Sequence, residues 1–322
     1  MKLLRTARLL LLGTGLLTAT QLALAQSAAT YPAKAIRLIV PFTPGSASDI
    51  LARTVGERLS AAWGQSVLVD NRAGAGGVIG TNLVAKSEPD GYTLAVVSAG
   101  HVVNPLFNKD MPYDTLRDFA GVIPLANLPS VLTVSPELKV KTVKELVALA
   151  KARPGALNFA SGGIGSASHV NTEKFLAATG IEAVHVPLKG APDMVVETIG
   201  GRTQFGFEPL IAAISAIRSG KLVALAVSSG ARSSALPEVP TIAEAGVPGA
   251  EFNFWIGLLA PAKTPRDVVA KLNAEIRRIV QTPEMKEKLA TLGAEPLLLG
   301  PAEFDDFMKN EYAAISRVIR PH

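Results

Sequence analysis

From Ile36 onward, short β-branched runs alternate with helical patterns, and that rhythm leaves few folds open. IRLIV (36–40), VLVD (67–70), TLAVV (93–97), LNFA (157–160), AVHVP (183–187) and LVALAV (222–227) read as buried strands. The helices between them have legible ends. Thr142 followed by Glu145 is a capping box, with Val143, Leu146, Val147 and Ala150 on one face and Pro154-Gly155 as the stop. Thr264-Pro265 caps and opens a second helix, and Thr282-Pro283 a third that Gly293 closes. Such alternation predicts parallel sheets covered on both faces. Two apolar extended segments break the rhythm, SVLTV (130–134) and FNFWIGLLA (252–260). Read as crossing strands, they bracket an inserted block. The expected fold is α/β with two domains: 26–128 plus 253–322 form a discontinuous first domain and 129–252 the second. Two crossings make a hinge, and a small ligand is expected in the interdomain cleft.

The amino terminus predicts export. Lys2, Arg5 and Arg8 precede the apolar run Leu9–Leu17, and Ala23-Leu24-Ala25 is a small-x-small cleavage site ahead of Gln26. Residues 1–25 therefore read as a cleaved signal peptide rather than an anchor, because Gly13, Thr14, Gly15, Thr18 and Thr20 dilute a stretch already short for a bilayer. The chain has no cysteine, so lipid attachment, disulfides and thiolate chemistry are excluded. Three of the 32 basic residues and no acid fall in the leader, which takes the net charge of +5 to +2 on cleavage. Aromatic residues are 5% and interleave with no basic run, so nucleic acid is not an expected partner. The predicted location of the mature chain is the periplasm.

The strongest functional signal is an echo between the two blocks. Strand 36–40 runs into PFTPGSASD (41–49) and strand 157–160 into SGGIGSASH (161–169), and each loop leads into a helix. Small residues let backbone approach a ligand, and first-turn N–H groups point outward with the positive end of the helix dipole. Ser46, Ser48, Ser166 and Ser168 can simply cap two helices, or the two loops can cradle an anion. Neither loop contains Lys or Arg. The ligand-contacting candidates are Phe42, Gly45, Ser46, Ala47, Ser48 and Asp49 in the first loop. Ser161, Gly162, Gly165, Ser166 and His169 are their counterparts in the second, with His101 and Phe207 beside other strand ends. Asp49 can cap its helix or orient a ligand, His101 and His169 can line a cleft or pack, and Glu208 reads as a solvated loop acid. Trp255 reads as core and His185 as a hydrogen-bonded core histidine.

Other chemistry finds no motif. NRAGAGGVIG (71–80) misses the third glycine of a dinucleotide fingerprint, because Ile79 stands there. Neither G-x-S-x-G nor a phosphate-binding G-x-x-x-x-G-K-[ST] occurs, and the four histidines have no metal-ligand spacing. No catalytic residue, metal or cofactor is expected.

The motifs YPAKAIRLIVPFTPGSASDILAR (31–53), VDNRAGAGGVIGTNLVAKSEPDGYTL (69–94) and LNFASGGIGSASH (157–169) resemble those of the Bug-type extracytoplasmic solute receptors. HVPLKGAP (185–192), ALPEVPTIAEAGVPG (235–249) and WIGLLAPAKTP (255–265) extend the likeness across the mature chain. These receptors are the substrate-binding components of tripartite tricarboxylate transporters. The resemblance implies a type II periplasmic-binding-protein fold that closes on a small carboxylate, held by loops corresponding to 42–49 and 161–169. Two departures affect the pocket: Gly45-Ser46 replaces a common glycine pair, and Leu188 a common tyrosine. The expected chain is a monomeric, non-enzymatic receptor for a mono- or dicarboxylate or amino acid, with membrane transporter subunits or a sensor kinase as its transient partner.

Overall fold

The computed structural model describes residues 30–318, so the leader expected at 1–25 lies outside the described residues. The chain first lays down β1 (Ile36–Val40), α1 (Ala47–Trp63), β2 (Val67–Asn71), α2 (Val78–Ala85), β3 (Thr93–Ser98), α3 (Gly100–Phe107) and β4 (Phe119–Leu128). It then builds β5 (Ser130–Val134), α4 (Val143–Ala152), β6 (Asn158–Ser161), α5 (Ala167–Thr179), β7 (Val184–Pro187), α6 (Ala191–Ile199), β8 (Phe205–Pro209), α7 (Leu210–Arg218) and β9 (Val223–Val227). It returns through β10 (Phe254–Pro261), α8 (Arg266–Val280), α9 (Pro283–Thr291), β11 (Glu295–Pro296) and α10 (Pro301–Val318). One sheet has the order β11-β4-β10-β3-β1-β2 and the other β7-β6-β8-β5-β9.

The two sheets are mixed, which corrects the all-parallel expectation. β1 runs parallel to β2 and β3, and β6 to β7 and β8. β10 is antiparallel to both its long neighbours, β3 and β4, and β5 to both of its own, β8 and β9. These strands adjoin the crossings, where the chain enters a sheet from the hinge rather than by a helical crossover, and parallel pairing requires the crossover. β2 and β7 are half-exposed sheet edges rather than buried strands. β10 is buried along its whole length, and Trp255 packs edge-on against Phe304 and Phe307 of α10 with centroids 5.4 and 5.7 Å apart.

Of the three helix starts expected at a threonine, two are capped by it. The Thr142 hydroxyl accepts from the Glu145 N–H at 3.2 Å, and Thr282 does the same for Met285 at 3.3 Å. Pro265, by contrast, is itself the cap of α8, and the buried Thr264 hydroxyl has no partner among the described residues.

The crossings differ from single strands passing through. β4 ends in the first sheet and β5 begins in the second, with Pro129 between them, and the return runs from Ser228 to Phe254. Ser228, fully buried, ties the two together. Its hydroxyl accepts from the Ser130 N–H at 3.2 Å and donates to the Phe252 carbonyl at 3.1 Å. Its main chain donates to Ser130 O at 2.8 Å and accepts from Phe252 N at 3.0 Å. Replacing the hydroxyl strands a buried N–H and a buried carbonyl, each worth ~1–3 kcal/mol when left unmade. Ser228→Ala is therefore expected to lower unfolding free energy by about 2 kcal/mol in urea titration, and a shift under 0.5 kcal/mol would show the crossings to be held otherwise.

Candidate functional site

The Ser-Ala-Ser loops meet across the space between the two domains. In each, the first serine caps its helix: Ser46 Oγ accepts from Asp49 N and Ser166 Oγ from His169 N, both at 3.3 Å. Each cap follows a glycine in the left-handed region, Gly45 at φ +81° and Gly165 at φ +76°, which turns the loop back over its own helix. The capped third residue leaves the first two N–H groups of α1 and of α5 facing the gap.

Between the helix starts lies a cavity of about 30 Å³, room for about two waters. Phe42, Ser46, Ala47 and Ser48 wall it from one side, and Gly162 and Ser166 from the other. The sequence reading missed Ser98, at the end of β3, and Gly190, Ala191 and Met194, around the start of α6. It also missed Pro209 and Phe254, beside the crossings. Strand ends carried a signal for Ser98, and HVPLKGAP for Gly190; Met194 and Phe254 carried none, because only the packed fold turns them inward.

The remaining candidates support the loops or lie elsewhere. Asp49 accepts from Gly45 N at 2.9 Å, from Asn71 Nδ2 at 2.9 Å and from Arg53 Nε at 3.1 Å. Burial alone would raise its carboxyl, but the bonds from Arg53, Gly45 and Asn71 outweigh burial and hold it below the usual carboxylate range. Ser161, fully buried, lies 2.5 Å from His185 Nε2. His169 accepts from Gly165 N through Nδ1 at 3.2 Å and stacks on His185 at 4.2 Å. Burial first, and then the neighbouring His169, push His185 down to about 4.

His101 and Phe207 lie away from the cavity. His101 belongs to α3, fully buried between Tyr113 and Phe119, with Nε2 3.2 Å from Thr115 O, and burial pushes it down to about 4. Phe207 sits mid-strand in β8 against Phe175, two residues short of Pro209, where that strand reaches the cavity. Glu208 is a buried strand residue rather than a loop acid. It shares a hydrogen bond with the Thr133 hydroxyl, and burial pushes its carboxyl up to about 8.

The two domains touch closely at glycines around the cavity. A Cβ on Gly76 would overlap the Ile164 carbonyl, one on Gly165 the Asn104 amide, and one on Gly190 the Thr43 hydroxyl. A Cβ on Gly100 would stand 2.7 Å from Ala167 N and 3.1 Å from Gly165 O. Phe107 of α3 meets the His169 ring of α5 edge-on at 4.7 Å.

A family model described as the tripartite tricarboxylate transporter family receptor matches residues 51–322. Protein BugT of Bordetella pertussis is 39% identical over 296 residues, 91% of this chain and 91% of BugT. A solved R. palustris protein with adipate is 36% identical with a TM-score of 0.86, covering 89% of this chain and 97% of that one. The periplasmic binding protein BugD is 30% identical at the same TM-score of 0.86, over 89% of this chain and 97% of BugD.

Two outcomes follow from this geometry. Gly100 has ordinary helical backbone, so Gly100→Ala strains nothing within α3 yet places a methyl against main chain of the other domain. It is expected to fold normally and to show a larger radius of gyration in small-angle scattering; an unchanged radius would mean that the lips do not set closure. The second concerns pH. Glu208 ionises at 4.5 in the unfolded chain and near 8 in the folded one, so the folded state holds an extra proton between those values. Its contribution to stability is complete below pH 4.5 and is lost as pH rises to 8. His101 and His185 act in the opposite sense, costing stability as pH falls from 6.5 towards 4. Between pH 6.5 and 8 the melting temperature should therefore fall, and Glu208→Gln should flatten that slope; equal slopes would refute a neutral Glu208.

Proposed function

The chain belongs to the tripartite tricarboxylate transporter receptor family, and we propose that it captures a small carboxylate between its two domains and delivers it to the membrane subunits of such a transporter. The observation that carries this reading is the convergence of two helix N-termini, α1 and α5, on one cavity whose walls hold no charged side chain. Neutral N–H and hydroxyl donors suit an anion that must be released again. Charge-assisted bonds are worth about 1.5–3 kcal/mol each, so four of them offset association costs well enough for roughly micromolar binding.

The cavity contains no histidine, acid or lysine to move a proton, which favours binding over catalysis. The close Ser161–His185 pair lies under the loop, with Ser161 fully buried. On this reading the domains divide at 128/129 and 252/253, beside the Ser228 junction. Export rests on the leader at 1–25. No described helix is long and apolar enough to cross a membrane, and BugD is named a periplasmic binding protein.

Release by denaturation of the protein purified from the periplasm, followed by mass spectrometry, is expected to yield a carboxylic acid in near-equimolar amount. Adding that acid back to stripped protein should reduce the radius of gyration. A co-purifying ligand without a carboxylate, or a carboxylate that binds without compaction, would overturn the proposal.

A further inference from the structure

We propose that His169 is a pH-sensitive brace of the second loop: its neutral ring holds Gly165 in the turn that opens α5 onto the cavity, and protonation frees that turn while the first loop stays held. The brace stands on its own geometry; its use, the release of a carboxylate on acidification, rests on the receptor reading above.

The two loops are held in the same way. In each, a left-handed glycine gives its N–H to the side chain four residues on, the third residue of the following helix. Gly45 N donates to Asp49 Oδ2 at 2.9 Å, and Gly165 N to His169 Nδ1 at 3.2 Å. Each acceptor is backed by a charged residue one turn further along. Arg53 lies 3.0 Å from Asp49, and Glu173 Oε1 lies 3.5 Å from His169 Nε2. The second brace is thus the first with acid and base exchanged.

The exchange makes one loop sensitive to pH. Burial pushes the Asp49 carboxyl up, but its bonds from Arg53, Gly45 and Asn71 hold it below the usual range, so it accepts throughout the neutral region. Histidine is the side chain that ordinarily changes charge between about pH 5 and 8. A main-chain N–H can only donate, so Nδ1 of His169 is the bare nitrogen and Nε2 carries the ring proton. In the imidazolium both nitrogens donate, and the Gly165 N–H then faces another donor beside a buried ring. Phe107 of α3 and Phe159 of β6 pack on that ring without charge. His185 of β7 stacks on it at 4.2 Å and stays neutral, pushed down to about 4 by burial first and then by His169. Glu173, on the same helix and 31% exposed, favours the imidazolium. The freed turn also abuts the other domain, where a Cβ on Gly100 would stand 3.1 Å from Gly165 O.

Nuclear magnetic resonance on isotope-labelled protein from pH 8 to pH 5.5 tests the brace. The Gly165 amide is expected to lose at least tenfold of its protection against hydrogen exchange at the midpoint where the His169 ring titrates, while Gly45 keeps its own. A ring that stays neutral, or a Gly165 amide that stays protected while the ring charges, overturns the proposal. His169→Asp combined with Glu173→Arg copies the first brace into the second loop and is expected to hold Gly165 at every pH. Should that variant not fold, His169→Asn, whose amide oxygen stands in for Nδ1 and does not titrate, takes its place; protection that still falls overturns the role of His169. Calorimetry with acetate, succinate, malate and adipate reads the consequence. The parent is expected to lose at least threefold more affinity between pH 8 and pH 5.5 than the variant, whose own change accounts for titration of the acids. Equal losses, or tighter binding by the parent at pH 5.5, overturn release by acid. No binding of any of the four acids counts against the receptor reading, and the glycine amides decide the brace regardless.

Discussion

The hydroxyl of Ser228 sits where the main chain leaves one sheet and has not yet joined the other. Backbone groups in such a place have no strand to pair with, yet they are buried and must be satisfied. One side chain does it for both crossings, taking the Ser130 N–H and giving to the Phe252 carbonyl. The two connections are thereby tied to each other where the chain passes between the sheets.

Charge is kept out of the interior with similar consistency. His101, His185 and Glu208 are all held neutral by burial, though the first two would be lost to acid and the third to base. The ion pair of Asp49 with Arg53 serves the first loop from beneath rather than the cavity. The cavity is lined by hydroxyls and helix starts, with no charged side chain in its walls.

What could be read from residues alone divides along physical lines. Local rules located the strands, the Thr142 and Thr282 caps and both glycine-turned loops, because each depends on neighbours within a few positions. Phe42, Ser46, Ala47, Ser48, Gly162 and Ser166 were legible as a group for that reason. Strand direction was not, since β5 and β10 take theirs from the route of the chain through the hinge. Glu208 looked like a loop acid because its motif ends in proline; its burial comes from β5 pairing alongside it, some 75 residues away in the chain. Met194 and Phe254 reach the cavity from elements distant in sequence, and no short motif encodes that.

The lips of the cleft meet on main-chain atoms at Gly76 against Ile164 and at Gly100 against Ala167. At those two places the surfaces that meet use main chain rather than the side chains that line the cavity. Met194 and Phe254 could be exchanged without altering those main-chain contacts. The same division makes the scaffold a ready starting point for a reporter whose hinge signal stays constant while its analyte is redesigned.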